Sequence, residues 1–262
     1  MSVGQDCKTR YPLLLAHGLG VTEHGGLYVP WGRIPDVLRA QGAQVFFGGQ
    51  DAWGSIEDGA ARLANAVQRI RRETGSARVN IIAHSKGGLE ARHLISGMGY
   101  GRYVASLTML STPNRGSCVA QWLLRVQPGI TVWAQGNDAW WRRHGDTAPM
   151  TLRAGRQLTP AYLEGFNRTH PDANCVYYQS WGALLGKSVD TGMRLTHGLF
   201  YPTHGSSDGL VTPASARWGR YRGTLQNVSH QQLVDATGKD CGAFDVRAFY
   251  VRLVCELAEM GF

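Results

Sequence analysis

The segment Ala83-His84-Ser85-Lys86-Gly87-Gly88 constrains the fold more than any other stretch of this 262-residue chain. It lies where an apolar run, Arg78 to Ala83, gives way to a helical pattern from Gly87 to Met98. A serine on so sharp a strand-to-helix turn is held in a strained backbone conformation. Its neighbours two positions away must then be small, or they collide across the turn. Ala83 and Gly87 meet that need, although Ala83 stands where a glycine is more usual. The helix that starts after Ser85 aims free N–H groups and a positive dipole end at the serine, where a developing oxyanion needs donors. Ser85 is therefore the candidate nucleophile. Taken alone, so short a match is no stronger than a turn that happens to contain serine.

The surrounding pattern supplies the context. Tyr11 to Ala16 is a short apolar run stopped by His17-Gly18-Leu19-Gly20, as expected of a strand buried on both faces and followed by a loop. Gly32 to Ala40 reads as a short helix, Gln44 to Phe47 as a strand and Val104 to Leu110 as another. Ser55 to Arg72 reads as a helix with Ile56, Ala60, Leu63, Val67 and Ile70 on one face. Ser55 and Asp58 form its capping box and Gly75 follows its end. Strands alternating with helices predict an α/β fold with a mostly parallel sheet. From Ser117 to Pro160 the alternation fails, and Trp122, Trp133, Trp140 and Trp141 crowd into it, which marks 117–160 as an insertion within a single domain of residues 1–262. A helix at Pro160 to Asn167, strands at Cys175 to Trp181 and near Thr224 to Val228, a glycine-rich segment at Thr203 to Gly209 and a last helix at Phe244 to Met260 complete the pattern.

A nucleophilic serine on such a turn needs a base and an orienting carboxylate, which follow it in the order acid, then histidine. His230 is the only histidine after the glycine-rich segment, and it falls just after a predicted strand. Asp208, in Ser207-Asp208-Gly209-Leu210-Val211, lies in a small-residue loop before it. Asp190, Asp172 and Glu164 are rival acids. The loop after the first strand would supply Leu19 N–H, and the elbow Lys86 N–H, as the two oxyanion donors. His17 reads as a structural hydrogen-bonding group, and the Lys86 side chain is expected to face solvent or the rim of the site.

These segments, with Tyr11-Pro12-Leu13-Leu14-Leu15-Ala16-His17-Gly18 and Ser111-Thr112-Pro113-Asn114-Arg115-Gly116-Ser117, resemble the bacterial triacylglycerol lipases and related carboxylesterases, in particular those with an Ala-His-Ser-Lys-Gly-Gly elbow. The resemblance spans nearly the whole chain. It implies the α/β-hydrolase fold, ester hydrolysis with Ser85, Asp208 and His230 as triad, and a mobile lid or cap in the Trp-rich 117–160 stretch. Secreted relatives often hold a structural calcium through a carboxylate two residues after the histidine. Here that position is Gln232, which lacks the anionic oxygens a hard dication prefers. Asp190 or Asp235 could serve a shifted site, which the sequence does not show. No cofactor is required by the expected chemistry. An acyltransferase using the same acyl-enzyme and a non-catalytic hydrolase-like binding protein are the competing readings.

Charge and cysteine content bound what else the chain could be. The 27 Lys and Arg exceed the 19 Asp and Glu, but the arginines are scattered rather than banded, so a solvated basic surface is expected and not a nucleic-acid site. The expected partner is an ester or lipid substrate, with transient contact at a lipid interface. Five cysteines leave at least one thiol unpaired, and a Cys241 to Cys255 disulfide is one option. Met1 to Arg10 lacks the apolar core of a secretory signal, and no run approaches the length of a membrane span. The chain is accordingly expected to be soluble, cytoplasmic as it stands or secreted with a leader removed.

Overall fold

Val79–His84, fully buried along its length, is the strand from which the rest of the sheet is laid out. The computed structural model describes residues 7–23, 25–26, 29–125, 129–186, 193–194, 198, 205–240 and 244–262. Six parallel strands form the central sheet: β1 (Leu13–Ala16), β2 (Val45–Phe47), β3 (Val79–His84), β4 (Val104–Leu110), β5 (Tyr177–Leu184) and β6 (Arg220–Gln226). They lie in the order β2-β1-β3-β4-β5-β6, with Leu14 opposite Ile81 and Ala16 opposite Ala83. The chain thus steps from β1 outward to β2, then crosses back to β3 on the other side of β1. α/β sheets bind ligands outside the carboxyl ends of the strands at such a reversal, here the ends of β1 and β3. His17 to Gly20 and Ser85 are the residues that leave those two strand ends.

Because successive strand residues point to opposite faces, the sheet carries two separate apolar layers. Leu14, Ile81, Ala83 and Leu107 pack with α2 (Ile56–Thr74), whose Ala60, Leu63, Val67 and Ile70 are buried with them. At roughly 1.5–3 kcal/mol for each large side chain removed from water, this stripe holds α2 down better than its helix propensity could. Its capping box forms as expected, Ser55 Oγ accepting from Asp58 N and the Asp58 carboxylate accepting from Ser55 N. Gly75 ends it at φ 70°. Leu13, Leu15 and Ile82 face the other way, onto α1 (Ile34–Ala40) and α8 (Val246–Glu259), with Trp31 and Tyr250 between them.

Several expected boundaries move. The first helix begins at Ile34, since Trp31 and Gly32 sit at φ 73° and 35°. The helix after Ser85 runs regularly only through Lys86–Arg92 (α3), and His93–Gly97 continues it as a π-helical turn. The last two strands lie at Tyr177–Leu184 and Arg220–Gln226 rather than at Cys175 to Trp181 and Thr224 to Val228. Between β4 and β5 the chain passes through α4 (Cys118–Arg125), α5 (Gly129–Arg143), α6 (Thr151–Gln157) and α7 (Pro160–Thr169). Cys241 lies outside the described residues. Cys255 Sγ instead faces Cys7 Sγ at 3.0 Å, so its neighbour is the start of the chain. Among the described residues no helix is long and apolar enough to cross a membrane.

Candidate active site

Ser85 follows β3 at φ 54° and ψ −129°, a conformation few non-glycine residues adopt, and it stands as the N-cap of α3. The fold admits this strain because its neighbours are bare. A Cβ on Gly87 would fall 2.5 Å from His17 O and 2.6 Å from Ala16 O. A Cβ on Gly18 would fall 2.7 Å from Ser85 Cβ. The loop after β1 and the elbow after β3 thus touch at backbone level, which side chains at those two positions would prevent. Ser85 N donates to Leu110 O at 3.0 Å, tying the elbow to the end of β4.

The structure brings the sequence-predicted base and acid together. His230 Nδ1 lies 2.7 Å from Asp208 Oδ2, and His230 N–H donates to Asp208 O at 2.9 Å. Asp208 is wholly buried, and its other oxygen, Oδ1, accepts Leu210 N at 2.9 Å and Val211 N at 2.8 Å. Two backbone amides and one imidazole therefore fix the carboxylate. Ser85 and His230 line one cavity of about 320 Å³, with Leu19, Trp53, Val119 and Leu158 among its apolar walls. Of the rival acids, Asp172 accepts Trp218 Nε1 at 2.8 Å and Glu164 pairs with Arg168 at the surface. Asp190 lies outside the described residues.

Sequence reasoning missed His84. Its Nε2–H donates to His230 O at 3.0 Å, and the two rings stand 4.4 Å apart. Burial, with the neighbouring His230 adding to it, holds His84 well below the usual histidine range. Its place inside the elbow was the only signal in the sequence. His17 is a buried structural group: Nδ1 lies 2.9 Å from Gly18 O, and Nε2 is 3.7 Å from Glu23. Burial opposes its charged form, but Glu23 outweighs that and keeps its pKa raised.

Lys86 departs from expectation. Its side chain does not face solvent; it is 1% exposed, donates to Gly54 O at 2.9 Å and pairs with the fully buried Glu90 one turn on. Gln50 Nε2 donates to the second Glu90 oxygen at 2.5 Å. A side chain long enough to reach water is turned inward because Glu90 is enclosed and needs a cation. The i, i+4 spacing of Lys86 and Glu90 was legible in the sequence.

The side chains near the histidine that carry oxygens are engaged by protein groups. Gln232 closes its own loop, its Oε1 accepting Ser229 N at 2.8 Å. Asp235 has Arg33 on both oxygens, Nη2 to Oδ1 at 2.8 Å and Nε to Oδ2 at 2.9 Å, and Asp240 receives Arg33 Nη1 at 2.9 Å. Among the described residues no group of three or more His, Cys, Asp or Glu is placed to hold a metal ion.

Comparison with known proteins places this geometry among relatives. No family model matches the chain. It is 30% identical over 252 residues to a protein of Saccharomyces cerevisiae named triacylglycerol lipase 2, the match covering 88% of this chain and 74% of that one. It is 36% identical over 244 residues to the triacylglycerol lipase of Vibrio cholerae, covering 81% and 76%. Among solved structures, the mature Bacillus licheniformis lipase BlEst2 superposes with a TM-score of 0.72 at 18% identity, covering 93% of this chain and 91% of that one. Staphylococcus hyicus lipase gives 0.71 at 14% identity, covering 97% and 98%. These two structures speak for the shared α/β-hydrolase fold.

Proposed function

Since the chain belongs to the triacylglycerol lipase family of carboxylic ester hydrolases, we propose that it cleaves fatty-acyl esters through a Ser85–His230–Asp208 triad and an acyl-enzyme. The observation that carries this reading is the buried Asp208–His230 pair, aimed at the cavity that Ser85 also lines. His230 Nε2 takes the Ser85 hydroxyl proton as Oγ attacks the ester carbonyl. The Leu19 and Lys86 amides hold the oxygen that becomes negative. The C–O bond to the alcohol breaks, and the alcohol leaves with the proton from His230. Water, deprotonated by the same imidazole, then releases the acid and restores Ser85.

The apolar walls of the cavity support an acyl chain as the group bound beside Ser85. Helices α4 to α6, within 117–160, act in this reading as a cap, and they carry Val132, Trp133, Trp122, Leu123 and Trp140 at 46–71% exposure. Such a patch suits contact with a lipid surface. The test is hydrolysis of p-nitrophenyl esters and triglycerides over a series of chain lengths, with and without an added alcohol. Medium-chain esters are expected to be cleaved faster than acetate, with free acid as product. Cleavage of acetate alone, or transfer to the alcohol in place of hydrolysis, would contradict it.

A further inference from the structure

Loop 50–54, between β2 and α2, is bonded to both sides of the oxyanion site. On the Leu19 side, Gly20 N–H donates to Ala52 O at 2.9 Å, which fixes the peptide next to the Leu19 amide. On the Lys86 side, Lys86 Nζ donates to Gly54 O at 2.9 Å, while Gln50 Nε2 reaches Glu90 Oε2 and, at 3.4 Å, His17 O. The two amides offered to the oxyanion come from different loops, and 50–54 is bonded to the residue after the first, Gly20, and to the side chain of the second, Lys86.

What holds 50–54 itself comes from the segment between α5 and α6. Asp146, 3% exposed, accepts Ala52 N on Oδ1 and Trp53 N on Oδ2, each at 2.9 Å. Asp51 answers in the opposite direction, its Oδ2 accepting Thr147 N at 3.1 Å, Ala148 N at 3.0 Å and Thr147 Oγ1 at 2.8 Å. Met150 N donates to Trp53 O at 2.9 Å and closes the pair of loops. Trp53 also lines the cavity and meets Trp133 of α5 edge to face at 5.8 Å. We propose that Asp146 and Asp51 are positioning residues: their reciprocal carboxylate caps fix loop 50–54, and through it the Leu19 and Lys86 amides, in the geometry that receives the oxyanion. This rests on the reading of Ser85, Leu19 and Lys86 given above.

The chemistry of the caps selects the variants. A carboxylate accepts two amides side by side, whereas an asparagine accepts one and turns its own N–H₂ toward the other. Asp146→Asn therefore breaks one bond and sets two donors against each other without changing volume. The readout is the rate on a soluble short-chain ester against the matching thionoester, whose C=S sulfur is a poor hydrogen-bond acceptor and draws little from oxyanion donors.

Asp146→Asn is expected to lower kcat on the oxygen ester about 10-fold, with KM nearly unchanged and a smaller loss on the thionoester, because small misplacement of positioned groups costs that much or more. Asp51→Ala, which removes the oxygen that accepts the Thr147 and Ala148 amides, moves the ratio in the same direction, and Asp146→Glu, which keeps two acceptors, restores part of it. Should Asp146→Asn fail to give a cooperative melt, Asp51→Ala and Thr147→Val, which removes only one of the bonds to Asp51, carry the same measurement. An ester-to-thionoester ratio that stays at the wild-type value in folded variants would overturn the proposal, as would a change confined to KM. Ester hydrolysis that persists in Ser85→Ala would overturn the underlying reading and this one with it, whereas full Ser85 dependence with an unchanged ratio overturns the positioning role alone.

Discussion

Asp208→Asn is expected to lower kcat by about 10⁴-fold while leaving binding of a soluble ester nearly intact. The size of the effect follows from which atoms Asp208 already has on each oxygen. Oδ1 receives the Leu210 and Val211 amides, and Oδ2 faces His230 Nδ1 at 2.7 Å. An asparagine in the same place keeps its carbonyl oxygen on the two backbone donors, since its N–H₂ cannot accept them. The N–H₂ is then left pointing at Nδ1. Nδ1 must become the acceptor, the proton moves to Nε2, and the imidazole presents a donor where Ser85 needs a base. Because the replacement has the same shape, the fold and the cavity survive. Steady-state kinetics on purified protein, with a thermal melt as control, checks it. A loss below about 10-fold would mean that His230 is oriented chiefly by other contacts, such as the His84 bond to its carbonyl.

Lys86→Met destabilises the protein by about 3–5 kcal/mol, read from the urea midpoint at constant m-value. Glu90 is fully enclosed, and a Cβ on Gly59 would collide with its carboxyl group, so the pocket around it is closed by backbone rather than by movable side chains. Removing the ammonium leaves that carboxylate with a neutral amide donor from Gln50 and leaves Gly54 O without the Lys86 donor. Replacing both charges, as Lys86→Met with Glu90→Leu, recovers much of the loss, because a buried ion pair contributes less than its breakage costs. A single-variant effect below about 1 kcal/mol, typical of exposed pairs, would contradict the burial of this one.

The elements that the sequence makes legible are those in which local chemistry and packing agree. The Ser55–Asp58 capping box, the buried stripe of α2 and the Val104–Leu110 strand each declare themselves in a few residues and appear as expected. Asp208 and His230 could be paired because the elbow demands an acid and a base in that order, and little else after β5 competes. The inward turn of Lys86 was not legible from its own position: a lysine beside a site normally reaches for water, and only the burial of Glu90 beneath Gly59 reverses it. The caps exchanged by Asp51 and Asp146 join residues more than 90 positions apart and obey no local periodicity. Trp31 at φ 73° and the π-helical turn at His93–Gly97 likewise answer to tertiary packing and not to propensity.

Covalent capture tests Ser85 as the nucleophile most directly. A fluorophosphonate loses fluoride to an activated serine oxygen and leaves a stable phosphonyl ester, so intact mass followed by peptide mapping reports both whether and where reaction occurs. The wild-type protein is expected to gain one phosphonyl group, carried by the peptide containing Ser85, with ester hydrolysis falling in step, and Ser85→Ala is expected to gain none. A label on any other residue, or an unlabelled wild type that still cleaves esters, would contradict the account.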